Sequence, residues 1–171
     1  ESADGSERRG KRARAFVMGH GSTSDAFHLT SPSPDGKGLR LAVEEAIRTA
    51  GIPPADVAFI NAHGTGTPDN DRIEADLFHD AFSDAPFLST KGYTGHTLGA
   101  AGAVEAAFTV ACLEGGRIPA SAGFKTPDPE LDAHPVAEPT TVRGPAALSE
   151  TLAFGGNNSV LIFGLEEAVS P

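Results

Sequence analysis

Residues 89–113 read STKGYTGHTLGAAGAVEAAFTVACL, a polar, glycine-rich loop that passes directly into an apolar segment. From residue 98 to residue 113 the only charged side chain is that of Glu105, and the length and composition predict a helix. Because apolar residues lie on every side of this helix, we expect it to be buried nearly all round. The loop in front of it carries Lys91 and His96, so polar side chains are predicted at the start of a core helix.

Strand and helix patterns alternate on both sides of this segment. The predicted strands are residues 13–24, 57–61, 86–90, 148–154 and 159–165, and the other predicted helices are residues 39–50 and 71–82. The last two strands flank a Gly-Gly-Asn-Asn turn, which is typical of an antiparallel pair. The alternation predicts a layered α/β domain.

Length and composition indicate one globular domain. We place this domain at residues 13–171, behind a flexible basic and polar segment at residues 1–12. Hydrophobic residues make up 39% of the chain and charged residues 21%, which is ordinary for a soluble protein. No stretch approaches the ~18 consecutive apolar residues of a membrane span, and the first residues lack the apolar region of a signal peptide. We therefore expect a cytoplasmic protein without a membrane span.

Charge and cysteine content exclude several classes of function. The formal net charge of -10 disfavours nucleic-acid binding, because affinity for phosphate comes from basic side chains. A single cysteine, Cys112, cannot form an internal disulfide, and no paired cysteines or HExxH motif offers metal ligands. We expect neither a metal site nor a nucleic-acid partner.

Three glycine-containing loops concentrate hydrogen-bonding side chains at predicted strand ends or helix starts, where α/β proteins bind ligands. They are residues 61–68 (NAHGTGTP), residues 89–102 (STKGYTGHTLGAAG) and residues 153–159 (AFGGNNS). The first loop lacks the GxxxxGK[ST] pattern of nucleotide-binding loops, so nucleotide binding is disfavoured. Taken singly, His63 and His96 fit a structural role as well as a catalytic one.

Together and in this order, the three loops resemble those of elongating β-ketoacyl-acyl-carrier-protein synthases, in the ketosynthase branch of the thiolase-like superfamily. The resemblance extends over residues 14–164. It implies the C-terminal half of a layered αβαβα fold, with helices packed on a mixed sheet. It also implies a decarboxylative Claisen condensation of an acyl thioester with malonyl carried on acyl carrier protein, in fatty acid or polyketide synthesis.

The resemblance further implies partners. They are acyl carrier protein, an N-terminal ketosynthase half and a second subunit in a homodimer or heterodimer. No cofactor is implied, because the substrates are carried on the phosphopantetheine arm of the carrier protein.

Matching the motifs position by position assigns roles to individual side chains. His63 of NAHGTGT and His96 of KGYTGHTLGAAG match the two active-site histidines of the family. Lys91 matches the lysine five residues before the second histidine, and Glu74 matches a buried supporting glutamate.

Two further pairs of residues match substrate-binding positions of the family. Thr65 and Thr67 match the threonines that contact the phosphopantetheine arm, and Phe154 and Gly155 match the gate and oxyanion segment. The turn reads GGNN, with Asn157 where many relatives have threonine, so the hydrogen bonds of that threonine are in doubt.

Two histidines suit this reaction for a physical reason. Loss of carbon dioxide from a malonyl thioester moves negative charge onto the thioester oxygen, and two fixed N–H donors stabilise it there. Each ring has to be neutral, which burial and the nearby cation of Lys91 favour by lowering the histidine pKa. Sequence leaves open whether Lys91 orients a histidine or is simply half of a structural ion pair.

The nucleophilic cysteine of the family has no match in this chain. Cys112 falls near the end of its predicted helix, where the helix dipole disfavours a thiolate, so we interpret it as a packing residue. The chain is therefore expected to be inactive alone, as a fragment or as one subunit of a split enzyme. The alternative is a non-catalytic partner subunit resembling a chain length factor.

Overall fold

The structure, a computed structural model, describes residues 1–165. Residues 166–171 of the predicted domain lie outside the described residues. In chain order the elements are α1 (Ala3–Arg8), β1 (Phe16–Ser24), α2 (Lys37–Ala50), β2 (Val57–Asn61), α3 (Pro68–Ala81), β3 (Phe87–Leu88), α4 (Lys91–Thr94), α5 (Ala101–Gly115), β4 (Arg117–Ile118), β5 (Thr140–Thr141), β6 (Ala146–Ala153) and β7 (Asn157–Gly164). α1 lies inside the segment that was predicted to be flexible.

Five strands form one mixed sheet in the order β1-β7-β6-β2-β3. The β6–β7 hairpin and the β7–β1 pair are antiparallel, whereas β2 is parallel to both of its neighbours, β6 and β3. Every residue of β2 is buried, as expected for a strand covered on both faces. The predicted mixed sheet is confirmed.

Helices cover the sheet on both faces. On one face, α2 and α3 contribute Leu39, Val43, Leu77 and Phe78 to a cluster with the apolar side chains of the sheet. On the other face, α5 and the chain that follows it pack against a second cluster that includes Phe59. The result is a helix–sheet–helix layering.

Glycines in β1 allow α2 to lie close to the sheet. A Cβ atom on Gly21 would stand 1.9 Å from the carbonyl oxygen of Ala42, and one on Gly19 would stand 2.2 Å from that of Ala46. Any side chain at either position would therefore push the helix away from the strand.

The helix α5 corrects the expectation that it is buried nearly all round. Only one stripe of it is buried, with residues at every fourth position: Ala101, Glu105, Thr109 and Leu113. The opposite side, including Ala107 and Phe108, is exposed because no described residue covers it. An apolar composition on all sides thus did not predict burial within this chain.

The same stretch also qualifies the expected absence of a membrane span. Among the described residues, Leu98–Gly115 is the one helical stretch that is long and apolar enough to cross a membrane. The core helix of a water-soluble protein passes the same test, so this single stretch is weak evidence for a span.

Candidate active site

The carboxyl ends of four strands lie at one edge of the sheet. Asn61 of β2 has Ser149 of parallel β6 on one side and Leu88 of parallel β3 on the other. β1 runs in the same direction as β6, because both are antiparallel to β7. The loops that carry His63 and Lys91, and the β6–β7 turn, therefore all begin at this edge.

His63 lies two residues beyond β2, and its side chain is enclosed. The residue is only 3% exposed. Burial lowers its pKa to about 3, with a smaller contribution from the positive charge of Lys91. The imidazole is therefore uncharged at neutral pH and can donate one N–H.

Lys91, at the start of α4, both forms an ion pair and contacts a histidine. Its buried ammonium group pairs with the carboxylate of Glu105 on α5. The same ammonium lies 3.3 Å from Nδ1 of His63. Because an ammonium group can only donate, Nδ1 of His63 is the acceptor and the ring proton is on Nε2. The two roles that sequence left open coexist in one side chain.

His96 is held by a backbone group. The backbone N–H of Leu98 donates to Nδ1 of His96 at 3.2 Å, so the neutral ring carries its proton on Nε2. His96 lies beside His63 in an edge-to-face arrangement, with ring centroids 5.6 Å apart and an interplanar angle of 84°. Both rings thus present an Nε2–H donor in the same region.

Glu74 fixes the backbone next to His63. Both of its carboxylate oxygens accept from the backbone N–H of Gly64, at 3.0 and 3.1 Å. The hydroxyl of Ser89 donates to the carbonyl of Gly64 at 3.1 Å. Gly64 has a φ of +49°, a left-handed conformation that suits glycine. The peptide groups on both sides of Gly64, directly after His63, are therefore held by hydrogen bonds.

Sequence reasoning missed the partner of Lys91, although a signal was present. Glu105 is the only charged residue of α5 before Glu114 in its last turn, and it is 2% exposed. Its helix is joined to β2 by Asn61, whose amide donates to the backbone carbonyl of Glu105 and to the hydroxyl of Thr109, both at 3.1 Å. An isolated charge within an apolar stretch of helix indicates a buried partner, and Lys91 in the preceding loop was one candidate cation.

Thr65 and Thr67 lie in the loop between His63 and α3. Their hydroxyl oxygens are 2.9 Å apart, and the Asn70 amide donates to both, at 3.1 and 2.8 Å. The loop thus presents two hydroxyl groups in a fixed arrangement at its partly exposed surface.

Phe154 and Gly155 occupy the β6–β7 turn. The Phe154 ring is exposed. The backbone N–H of Gly155 donates to the carbonyl of Leu29 at 2.8 Å, so that group is engaged within the chain. The gate and oxyanion roles of these two residues stay predictions.

Cys112 lies in the last turn of α5. Burial raises the pKa of its thiol. A helix rises about 1.5 Å per residue, so Cys112 is roughly 16 Å along the axis from the beginning of the helix near His96. It is half-buried, and neither its position nor its environment favours a reactive thiolate.

Comparisons with known proteins place this geometry in context. Residues 14–125 match the family described as "Beta-ketoacyl synthase, C-terminal domain". The 3-oxoacyl-[acyl-carrier-protein] synthase 2 of Staphylococcus aureus is 40% identical over 168 residues, which cover 95% of this chain and 42% of that protein. The mitochondrial 3-oxoacyl-[acyl-carrier-protein] synthase of Arabidopsis thaliana is 39% identical, over 95% of this chain and 37% of that protein. The chain therefore spans about two fifths of the length of these relatives.

Solved structures have the same fold. A ketosynthase from Xenorhabdus doucetiae in complex with its chain length factor superposes with a TM-score of 0.85 at 39% identity, covering 91% of this chain and 40% of that one. A β-ketoacyl synthase from Burkholderia phymatum gives 0.84 at 30% identity, covering 96% of this chain and 41% of that one. The expected thiolase-like ketosynthase fold is confirmed.

Proposed function

Because the chain belongs to the β-ketoacyl synthase family, whose C-terminal domain it matches, we propose that it is the C-terminal part of a β-ketoacyl-acyl-carrier-protein synthase. The reaction is the decarboxylative Claisen condensation of an acyl thioester with malonyl-acyl carrier protein, in fatty acid or polyketide synthesis. The observation that carries the proposal is the pair of adjacent imidazoles, His63 and His96, whose Nδ1 atoms both accept hydrogen bonds.

The two Nε2–H groups are the proposed catalytic donors. When the bond between the malonyl methylene and its carboxylate breaks, the electron pair moves into an enolate whose negative charge resides on the thioester oxygen. Donors from His63 and His96 at that oxygen stabilise the charge in the transition state more than in the substrate. The enolate carbon then attacks the carbonyl carbon of the acyl thioester, and the sulfur of that acyl thioester departs as a thiolate.

The acyl-bearing cysteine is proposed to come from the remaining part of the enzyme. Cys112 has a raised pKa and a place in the last turn of its helix, both of which disfavour a thiolate. By this proposal the chain alone does not condense acyl and malonyl groups.

An exposed surface on the α5 side favours a ketosynthase-like half as a partner. Phe108 of α5 is exposed on the side of that helix which no described residue covers, and Tyr93 and Leu98 in the preceding loop are also exposed. A surface with several exposed large apolar groups beside a catalytic site is typical of a protein interface. We propose that the N-terminal ketosynthase half covers it, in a homodimer or heterodimer.

We propose that the phosphopantetheine arm that carries the substrate contacts the loop after His63. Thr65 and Thr67 present hydroxyl groups that would donate to or accept from the polar groups of a phosphopantetheine arm. Acyl carrier protein is the proposed carrier, with no further cofactor. The relatives include a mitochondrial enzyme, so the cytoplasmic location stays a prediction.

A chain length factor-like partner subunit is the competing function, since similar folds occur in ketosynthase complexes with chain length factors. The supported histidine pair argues against it. A subunit freed of catalysis has no need for a buried Lys91–Glu105 ion pair directed at His63, because burying two charges is costly.

Alanine substitution of each histidine in the complete enzyme tests the proposal. We expect His63→Ala and His96→Ala each to lower kcat for malonyl-acyl carrier protein decarboxylation by about 10²–10³-fold, since each removes one donor. His79→Ala is the matched control, because His79 is exposed on α3. Equal decarboxylation rates in wild type and both active-site variants would refute the donor role.

A further inference from the structure

A buried carboxyl group that the proposed chemistry does not use lies at the same edge of the sheet. Glu150 of β6 is 0% exposed. Among the described residues, neither of its side-chain oxygens has a hydrogen-bond donor. A fully buried carboxylate without a donor is strongly unfavourable, so the protonation state of this group needs an explanation.

The register of the sheet explains which side Glu150 faces. Ser149 lies beside Asn61 in the parallel β2–β6 pair, so Glu150 is next along the strand, at the level where β2 leads into His63. Side chains alternate along a strand. The hydroxyl of the next residue, Thr151, donates to the carboxylate of Glu105 on the α5 side, at 3.2 Å. The Glu150 carboxyl therefore faces the α3 side.

On that side the Glu150 carboxyl meets the carboxyl of Glu74. The two groups are neighbours: Glu74 accepts from the N–H of Gly64, one residue after His63, and each carboxyl shifts the pKa of the other. Deprotonated carboxylates only accept hydrogen bonds, so two of them cannot bond to each other. If one of the pair is protonated, it can donate to the other. A single proton between them converts repulsion into a hydrogen bond.

The surrounding groups decide where that proton resides. Glu74 accepts the N–H of Gly64 on both oxygens and is the better site for negative charge. Burial raises the pKa of Glu150 well above its usual range, and the nearby charge of Glu74 raises it further. The backbone N–H of His63, which makes no regular hydrogen bond to Glu150, and the charge of Lys91 lower this pKa with smaller effect.

The remaining charged groups around the pair do not supply a donor. Burial is also the largest influence on the pKa of Glu74 and raises it, and the charge of Asp71, on the same helix, adds to this effect. On the other side of the sheet, the ammonium group of Lys91 is paired with Glu105. Among residues 1–165, therefore, no cation forms an ion pair with either carboxyl of the Glu74–Glu150 pair.

We propose that Glu74 and Glu150 share one proton at neutral pH, carried on Glu150, and that this carboxyl pair positions the backbone beside His63. The protonated Glu150 donates to Glu74, and Glu74 in turn holds the N–H of Gly64. Loss of the shared proton leaves two adjacent carboxylates, whose repulsion pulls Glu74 away from Gly64 and releases the imidazole from its fixed orientation. Glu150 acts through Glu74 and is a positioning residue.

The shared proton stands on the fold alone, whereas the positioning role rests on the proposed function. Infrared spectroscopy of the complete enzyme at neutral pH tests the proton directly. We expect a C=O band of a protonated, buried carboxyl that is lost in Glu150→Gln and retained in Glu44→Gln, which removes an exposed glutamate of α2. The absence of the band in wild type, or its persistence in Glu150→Gln, overturns the proposal.

A second variant is available in case Glu150→Gln fails to fold. If Glu150→Gln does not fold, Glu150→Asp makes the assignment, because it keeps a carboxyl but withdraws it from Glu74 by one methylene. We then expect the band to shift or disappear, and an unchanged band overturns the proposal.

The pH profile of decarboxylation tests the positioning role. A glutamine at position 150 donates to Glu74 at every pH, because it has no proton to lose. As the pH is raised from neutrality, the wild-type kcat is expected to fall relative to that of Glu150→Gln by up to about 100-fold, the effect of misplacing a catalytic group by about 1 Å. The ratio of Glu44→Gln to wild type should stay flat.

The two proposals fail in distinguishable ways. A pH-independent ratio of Glu150→Gln to wild type refutes the positioning role even if the infrared band is present. Undiminished decarboxylation in His63→Ala refutes the proposed function and leaves the shared proton standing.

Discussion

His63 and His96 are adjacent in space but are supported in opposite ways. His63 is buried and is fixed by three side chains from two separate parts of the chain: Lys91 and, through Gly64, Glu74 and Ser89. His96 is exposed, and its Nδ1 atom is held by the backbone N–H two residues further along. One donor is built by tertiary structure and the other by a local turn.

This difference separates what the chain determines by itself from what its surroundings add. The pKa of His63 is lowered by the burial that this chain already provides. His96 is itself exposed, so the partner that we propose to cover the surface beside α5 would change its environment. The comparison predicts that substitutions in the network of His63 have larger effects on stability than changes in the turn of His96.

The largest effect is expected for Lys91→Met. The substitution keeps the length of the side chain but leaves the Glu105 carboxylate buried without its partner. Removing one member of a buried ion pair typically costs about 3–5 kcal/mol of unfolding free energy. Urea denaturation of the chain measures this loss.

The double variant Lys91→Met with Glu105→Met is the matched control. Replacing both members of a buried pair by apolar groups is often neutral or stabilising, so most of the stability should return. Decarboxylation by the complete enzyme should remain impaired, because the donor that fixes the His63 tautomer is still missing. Full recovery of both properties would contradict the assigned role of Lys91.

Much of the fold followed from sequence because it depends on local patterns. The apolar run at residues 57–61 specified a strand that was correctly placed. The Gly-Gly-Asn-Asn segment specified the antiparallel hairpin through near neighbours in sequence, although the turn is at residues 154–156 and Asn157 and Asn158 begin β7. The burial of α5 was predicted wrongly, since it depends on which surfaces meet in space. The spacing of the apolar residues in α5 could not identify which side of the helix is covered by other residues of the chain.

In the candidate active site, too, local sequence motifs were informative, whereas contacts between distant residues were not. The sequence pointed to His63, His96 and Lys91 through motif order, and the structure brings them together. The lone buried charge of Glu105 indicated a partner without identifying Lys91. Sequence could not reveal that Glu150 faces Glu74, because that contact joins residues far apart in the chain. A glutamate in a strand is ordinarily a solvent-facing residue, so Glu150 carried no sequence signal of its own.

The next effect in size is the pH dependence of stability that His63 imposes. Its pKa is about 3 in the folded chain and near 6.5 when unfolded, so between these values the unfolded chain binds the extra proton. Stability from this group is complete above the unfolded pKa and falls by about 1.4 kcal/mol for each pH unit below it. Urea denaturation at a series of pH values should show that His63→Gln removes this slope.

His96→Gln is the control for that experiment. The same substitution at the exposed ring should leave the acid slope nearly as it is in wild type. The contributions of the carboxyl groups, Glu150 included, cancel because every variant contains them. Equal slopes in wild type and His63→Gln would contradict the burial that separates the two histidines.

The smallest effect concerns the turn of His96. Leu98 has a φ of +53°, although its side chain is 76% exposed and gains little from packing. The left-handed conformation costs a non-glycine residue about 1–2 kcal/mol of folding free energy. A glycine variant avoids this cost but loses part of the gain, because glycine gives the unfolded chain more conformational entropy. Leu98→Gly should therefore be more stable than Leu98→Ala by about 1 kcal/mol in urea denaturation. If the two variants unfold at the same urea concentration, the turn does not need a positive φ at Leu98, and the backbone donor to His96 is not fixed by local geometry.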